Sequence, residues 1–413
     1  MKNISLKIFP FLISLVFLLP ILKENLSSFS VILLFINTII YVISSRDYTN
    51  FKFQTLLLTI PFWIVLLNSA CSDNFKNSAT HIQHSILFLI MPVLFSAIPN
   101  EFFNKNKINL YISVLKNTCL IISIVYVVSF FINVPSWQYN VVFNNESRFR
   151  YHIYNDFKLF VIHPTYYTAI LILCSAHSLD LFLREKKYFQ LIYVFCFLLI
   201  TILLLTKLNL VFMILLLTLM VFIRSIYKLK TKLLFAFSLI GLILTFSFFT
   251  PGIKDRFLEA YESYNLRPKD DAYDSTNVRK AIFDSSIIIA KENWVFGVGF
   301  ENLQNKLNTV YKETYKSSFY ANHNYMTHNY YFYIFLSSGI FGLFFYLFYI
   351  ANIIKICLKS NVFLFKVIVL NALIICFIED YFYRQYGILY FNLMLMCFIK
   401  YSENIKKEVL ITN

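Results

Sequence analysis

The sequence predicts an all-α integral membrane protein with about twelve transmembrane helices and one large polar loop carrying short amphipathic helices. Three observations carry that prediction. Hydrophobic residues make up 58% of the 413-residue chain and charged residues only 14%, where a soluble domain has about 25% charged; the mean hydropathy is +0.64. Apolar runs near twenty residues recur, the length at which a helix crosses the hydrocarbon. Basic residues gather in every second loop, the bias that fixes topology.

The runs lie near 4–22, 28–45, 53–70, 82–99, 109–133, 160–183, 188–206, 208–224, 231–250, 328–355, 362–380 and 385–401. Lys2 to Lys7 followed by an apolar run looks like a signal peptide, but no small-x-small cleavage site follows the run to Leu22, so it reads as the first membrane helix. Only Lys207 and Asn209 interrupt the stretch from 188 to 224, which is too long for one crossing. With the N-terminus inside, the inner loops carry Arg46 and Lys52, Lys105 and Lys107, Arg184 to Lys187, Arg224 to Lys232, Lys355 and Lys359, and the tail Lys400, Lys406 and Lys407. The outer loops carry few: Lys23, Lys76, Lys207, Arg384. Both termini then face the cytoplasm. The organisation is residues 1–250 as nine helices with a minor outer loop near 134–159, 251–327 as the large outer loop, and 328–413 as three helices and an inner tail.

The net charge of +15 would suggest nucleic acid in a soluble chain; here it follows from the inner-loop bias. The seven cysteines fall, except Cys71, inside apolar runs without C-x-x-C spacing, so they read as small core residues and neither a disulfide framework nor a metal site is expected. The 47 Phe and 29 Tyr suit lipid-facing surfaces and interfacial belts.

Polar chemistry concentrates in the outer loops. The large one opens on Pro251-Gly252, a helix stop, and continues through an acidic and aromatic stretch to Asp270-Asp271. Asp274 or Ser275 offers an N-cap for a helix near 276–291, apolar on the side of Val278, Ile282 and Ile289 and polar at Arg279, Lys280 and Asp284. Such a helix lies at the membrane surface and puts Arg279 at headgroup depth, where it either meets a substrate phosphate or snorkels to solvent. Trp294, an interface anchor, leads into Gly297 and Gly299, which permit a tight turn; a dinucleotide fingerprint needs a third glycine and a βαβ setting, and both are missing. His328-Asn329 opens the tenth helix. A histidine there either accepts a proton from a hydroxyl or is an interfacial residue held by backbone. Arg148, Arg150, His152, Asp156 and His163-Pro164 populate the smaller loop, and Glu379, Asp380 and Arg384 the last turn. An Arg384–Glu379 pair would account for the latter. Several cations at one depth, Lys207 among them, suit a diphosphate.

In this order, Arg279, Trp294-x-x-Gly297-x-Gly299, and His328-Asn329 opening a helix with Gly339 and Gly342 resemble the O-antigen ligase and polymerase superfamily of bacterial membrane glycosyltransferases. His163-Pro164-Thr165 and the Glu379 to Gly387 turn resemble further elements of that family. The resemblance implies a helical inner-membrane bundle with the large loop in the periplasm. It implies transfer of a glycan from undecaprenyl diphosphate to a hydroxyl of lipid A–core or another glycan, with inversion and with no metal or other cofactor. Arg279 would neutralise the leaving diphosphate and His328 would orient or deprotonate the acceptor. Arg150, Lys207, Arg384, His163, Asn329 and Trp294 would help bind donor or glycan, and Gly297 and Gly299 would shape the turn. Many members carry arginine in a Ser-Arg-like element where this chain reads Thr206-Lys207-Leu208-Asn209, so Lys207 would serve as a point charge. A polymerase uses nearly the same parts. A flippase for lipid-linked sugars predicts charges deep in several helices and two related halves; here the polar residues sit mainly in asymmetric outer loops.

Overall fold

The computed structural model describes residues 1–45, 53–71, 75–143, 146–160, 162–224, 228–249, 275–315 and 323–412. Arg46, Lys52, the Pro251-Gly252 stop, the acidic stretch through Asp270-Asp271, and Asp274 lie outside the described residues. Among the described residues the fold is all-α apart from one pair of two-residue strands, Val142–Phe143 against Glu146–Ser147. Among the described residues, six helices or helix pairs are long and apolar enough to cross a membrane: Glu24–Ser45, Ser78–Ala97, Lys105–Asn133, Pro164–Glu185, Lys207–Arg224 and Tyr330–Leu358. Shorter apolar helices fill other runs, at Ile60–Ala70, Gln190–Leu203 and Phe363–Ile375.

Two of the expected runs are divided. The 53–70 run forms Phe53–Leu57 and Ile60–Ala70, the second opening on Pro61, because proline lacks the amide that would continue the first helix but suits a helix start. The 82–99 run joins the helices Phe75–Ser85 and Leu87–Ala97 at Ile86.

The chain forms two compact units that interleave in sequence, one from residues 1–44 and 102–257, the other from 45–101 and 258–413. The first is built around Pro164–Glu185, whose residues 164–179 are all buried. Ala169, Cys174, Ser175, Ala176 and Ser178 keep that helix thin, so Lys105–Asn133, Gln190–Leu203 and Lys207–Arg224 approach closely. The second unit centres on Tyr330–Leu358, which packs on Ile60–Ala70, Ser275–Asn293 and Phe363–Ile375, with Gln385–Thr412 against Leu87–Ala97. Outward faces are apolar: Phe341, Phe344, Phe345 and Phe348 are exposed while Tyr346, Tyr349 and Ile353 on the same helix are buried. A contiguous apolar exterior of this kind needs lipid around it.

Candidate functional site

The Ser275–Asn293 helix lies within two residues of the expected bounds. Val278, Ala281, Ile282, Ser285, Ser286 and Ile289 are buried at the i, i+3, i+4, i+7 spacing of one helix face. That face rests on Leu303–Tyr315 and Tyr330–Leu358, and Phe283 adds an edge-on ring contact to Phe332 at 5.6 Å. Arg279 stands on the open side.

The segment Trp294–Gly299 leaves this helix and docks on a break in Tyr330–Leu358. Gly339 is non-helical there, with φ 65 and ψ −165. The freed backbone groups are taken up by the incoming segment: Val298 N–H donates to the Leu336 carbonyl at 2.8 Å, Gly299 N–H to the Ser337 carbonyl at 2.9 Å, and Ile340 N–H to the Trp294 carbonyl at 2.9 Å. Asn68 donates to the Ser337 carbonyl and accepts from Phe300 N–H, both at 3.3 Å. Non-helical backbone at membrane depth survives only when protein satisfies it. Gly297 and Gly299 have φ 73 and 86, and a Cβ on Gly297 would lie 2.5 Å from the Ser337 backbone. The glycines are therefore fixed by backbone-on-backbone approach as well as by the turn.

His328 precedes this helix in the left-handed region, φ 45, which a non-glycine side chain occupies only when its surroundings impose it. Asp380 imposes it. Its carboxylate accepts from His328 N–H at 2.9 Å, from Asn329 N–H at 3.2 Å and from the Thr327 hydroxyl. Asn329 caps the helix through Oδ1, accepting from Tyr331 and Phe332 N–H, and its Nδ2 donates to the Phe377 carbonyl at 3.1 Å. The expected interfacial Trp294 is exposed, and Arg384 is exposed at the head of Gln385–Thr412.

Glu379 joins the two leading candidates. One carboxylate oxygen lies 3.4 Å from His328 Nδ1 and the other 3.8 Å from Arg279 Nη2. Glu379 side-chain exposure is 16%, His328 34% and Arg279 53%, so the carboxylate is sheltered while the cation and imidazole are reachable. Burial disfavours a charged His328, but the hydrogen bond and charge of Glu379, with Asp380 behind, outweigh it and hold the imidazole above the usual histidine value. Burial pushes the Asp380 carboxyl above the usual carboxylate range, partly offset by Thr327 and His328.

Arg150, Lys207 and His163 belong to the other unit. Arg150 donates to Glu146 at 3.0 Å and to the carbonyls of Leu204 and Leu205 at 3.0 and 3.3 Å. Those carbonyls form the turn before Lys207, strained at Leu205 with φ 51. Lys207 is exposed as the first residue of Lys207–Arg224. His163 is the N-cap of Pro164–Glu185, accepting from Thr165 N–H at 3.3 Å, and Asn209 ties the two helices through the Thr165 carbonyl and Thr168 hydroxyl at 2.8 and 2.6 Å. Arg148 pairs with Asp156 at 2.8 Å.

Three features went unassigned in the sequence. Asn68 is a lone amide in an apolar run, and Ser337-Ser338-Gly339 is a small-residue stretch of the kind that marks helix breaks; either was a usable signal. The clamp by Asp380 pairs residues 51 to 53 positions apart, and no local pattern announces it.

The apolar helices define a multi-pass membrane protein that presents an arginine, a carboxylate and a histidine together at a helix mouth. Residues 192–347 match the family model described as O-antigen ligase. The match bears out the resemblance to the O-antigen ligase and polymerase superfamily and supports a membrane glycosyltransferase of that type, acting in general on a lipid-linked glycan and an acceptor. The matched stretch contains Lys207, Arg279, Trp294, Gly297, Gly299, His328 and Asn329, and ends before Glu379, Asp380 and Arg384. No curated protein matches the chain.

Proposed function

We propose that the chain is an O-antigen ligase-like transferase moving a glycan from undecaprenyl diphosphate to a hydroxyl of lipid A–core at the periplasmic face of the bacterial inner membrane. The observation that carries the reading is the single carboxylate, Glu379, holding both Arg279 and His328 within 4.0 Å. The Arg279 pair is long and half exposed, of the class worth at most about 1 kcal/mol, so a diphosphate offering charge-assisted, bidentate contacts displaces it. Glu379 accepts from Nδ1–H of His328, which leaves Nε2 as the proton acceptor.

The acceptor hydroxyl gives its proton to Nε2 as its oxygen bonds to the anomeric carbon. The bond from that carbon to the diphosphate oxygen breaks on the opposite face, inverting the centre. Arg279 takes up the charge released on undecaprenyl diphosphate, an electrostatic role, and His328 returns its proton to water. Arg384, exposed in the unit that carries Arg279, adds a diphosphate contact, and Lys207, exposed in the other unit, is a donor-binding residue on the resemblance alone. Arg150, His163 and Asn329 act through the turns and helix ends they hold, and Trp294 with Gly297 and Gly299 holds the broken helix.

A polymerase joining repeat units is the close second reading, because the same parts serve it. A gel of lipopolysaccharide from a deletion strain separates the readings. Loss of a ligase leaves long chains on the lipid carrier, loss of a polymerase leaves single repeats on core, and a general loss of lipid-linked sugar from the outer leaflet overturns both in favour of a flippase.

A further inference from the structure

We infer that the second unit carries an anionic-phospholipid site at the end of Tyr330–Leu358 opposite His328. Lys355 lies 27 residues beyond His328, 16 of them past the break at Gly339, and in the proposed topology that end meets the cytoplasmic leaflet.

A groove of about 350 Å³ opens there between three segments: Phe53–Leu57, the last turns of Tyr330–Leu358, and the 399–406 stretch of Gln385–Thr412. Its polar lining is Lys355, Lys359, Lys406, Asn352, Gln54, Ser402 and Glu403. Three lysines against one carboxylate leave it cationic. The rest is apolar: Phe53, Leu57, Ile356 and Ile399. Lys355 and Lys359 are one helical turn apart on the same face, and Lys406 approaches from a different helix, so the charge converges in three dimensions. Asn352, in the same lining, has a buried Nδ2 with no hydrogen-bond partner among the described residues. Behind the groove lies a smaller cavity that shares Gln54, Ile399 and Glu403 with it and is lined by the buried Lys400.

A convergent cation set over an apolar trough matches a phosphate esterified to acyl chains: the lysines meet the phosphate and the trough takes the first methylenes. A free phosphate would satisfy the lysines and leave the trough wet. Cations that serve only topology need no groove and no unpartnered amide donor beside them.

The test uses the full chain in nanodiscs of phosphatidylcholine with and without phosphatidylglycerol, followed by native mass spectrometry of retained lipid. Wild type is expected to retain phosphatidylglycerol. K355Q/K359Q/K406Q is expected to bind it on the order of a hundredfold more weakly, from roughly fivefold per lysine near an anionic headgroup, and K355R/K359R/K406R to bind it as wild type does. Removing three lysines that do not line the groove, K105Q/K107Q/K230Q, should leave retention unchanged; an equal loss there shows diffuse attraction and overturns the site. Inorganic phosphate is expected not to displace the lipid. Displacement by phosphate at matched concentration overturns the lipid assignment, and retention by the glutamine variant overturns the lysines' role. None of these readouts depends on glycosyl transfer.

Discussion

Arg150 and Arg279 each sit beside one glutamate, at 3.0 and 3.8 Å, and the two units use them differently. Arg150, 15% exposed, closes the turn between Gln190–Leu203 and Lys207–Arg224 by donating to two of its carbonyls. Arg279, 53% exposed, makes a long contact to a carboxylate that His328 also engages. An arginine whose donors hold backbone is part of the scaffold; one held loosely at the surface by a shared carboxylate is available to a ligand. Both lie beside backbone strain, at Leu205 and at His328. In the first unit the strain is held by a cation and in the second by the anion Asp380, which leaves the second unit's cation open.

The strongest way to break this comparison is to remove the available groups. His328→Ala and Arg279→Ala are each expected to lower transfer by about 10²- to 10⁴-fold with normal membrane levels, read from donor-to-acceptor transfer with purified protein. Retained transfer in both would sink the role assignment. Gly297→Ala tests the scaffold instead. Its Cβ would meet the Ser337 backbone at 2.5 Å in a positive-φ residue, and overpacking with the backbone cost together predict a loss of about 2–4 kcal/mol. A thermal melt in detergent shows it as a lower Tm, and an unchanged Tm would mean that the broken helix is not held by this turn.

Glu379→Gln sharpens the comparison through pH. The His328 pKa is raised in the fold, so the stabilising contact with Glu379 is present below the unfolded value of about 6.5. It is lost as pH rises through the folded value, and the same titration frees Nε2 for proton abstraction. Transfer therefore rises with pH over that window. The glutamine variant is expected to move this limb to lower pH and to lower the rate about 10- to 100-fold, part of the whole proton-transfer contribution; an unmoved limb would remove Glu379 from the mechanism. The smallest effect belongs to the first unit. Lys207→Ala is expected to raise KM for the diphosphate-linked donor about fivefold, as for one exposed charge worth about 1 kcal/mol. Arg150→Ala is expected to lower thermal stability by about 1–3 kcal/mol and to change KM no more than Lys207→Ala. A larger KM effect at Arg150 would make it a ligand contact.

Hydropathy identified the helical segments because in lipid the backbone must satisfy itself and almost only helices do so in one run. It passed over Lys116, a buried cation whose ammonium group holds the Gln190 side chain, and it put Lys400 in the inner tail, whereas Lys400 is buried and its ammonium group holds the Ser96 and Ile98 carbonyls. Lys116 is a single charge in an otherwise apolar window, too few to change its mean, and Lys400 stands where the last apolar run meets Glu403, Lys406 and Lys407.

The amino-acid order alone determined the apolar segments, the amphipathic helix bearing Arg279, the glycine turn after Trp294 and the histidine at the mouth of Tyr330–Leu358. Each is local, set by the period of one helix or the conformational demand of one turn. The tertiary structure decided that residues 45–101 fold with the C-terminal third, that Gly339 interrupts a helix for Val298 and Gly299 to repair, and that Glu379 draws Arg279 and His328 together. These pairings join groups from about 40 to about 300 residues apart, where no periodicity reaches and the packing of whole helices sets which side chains meet.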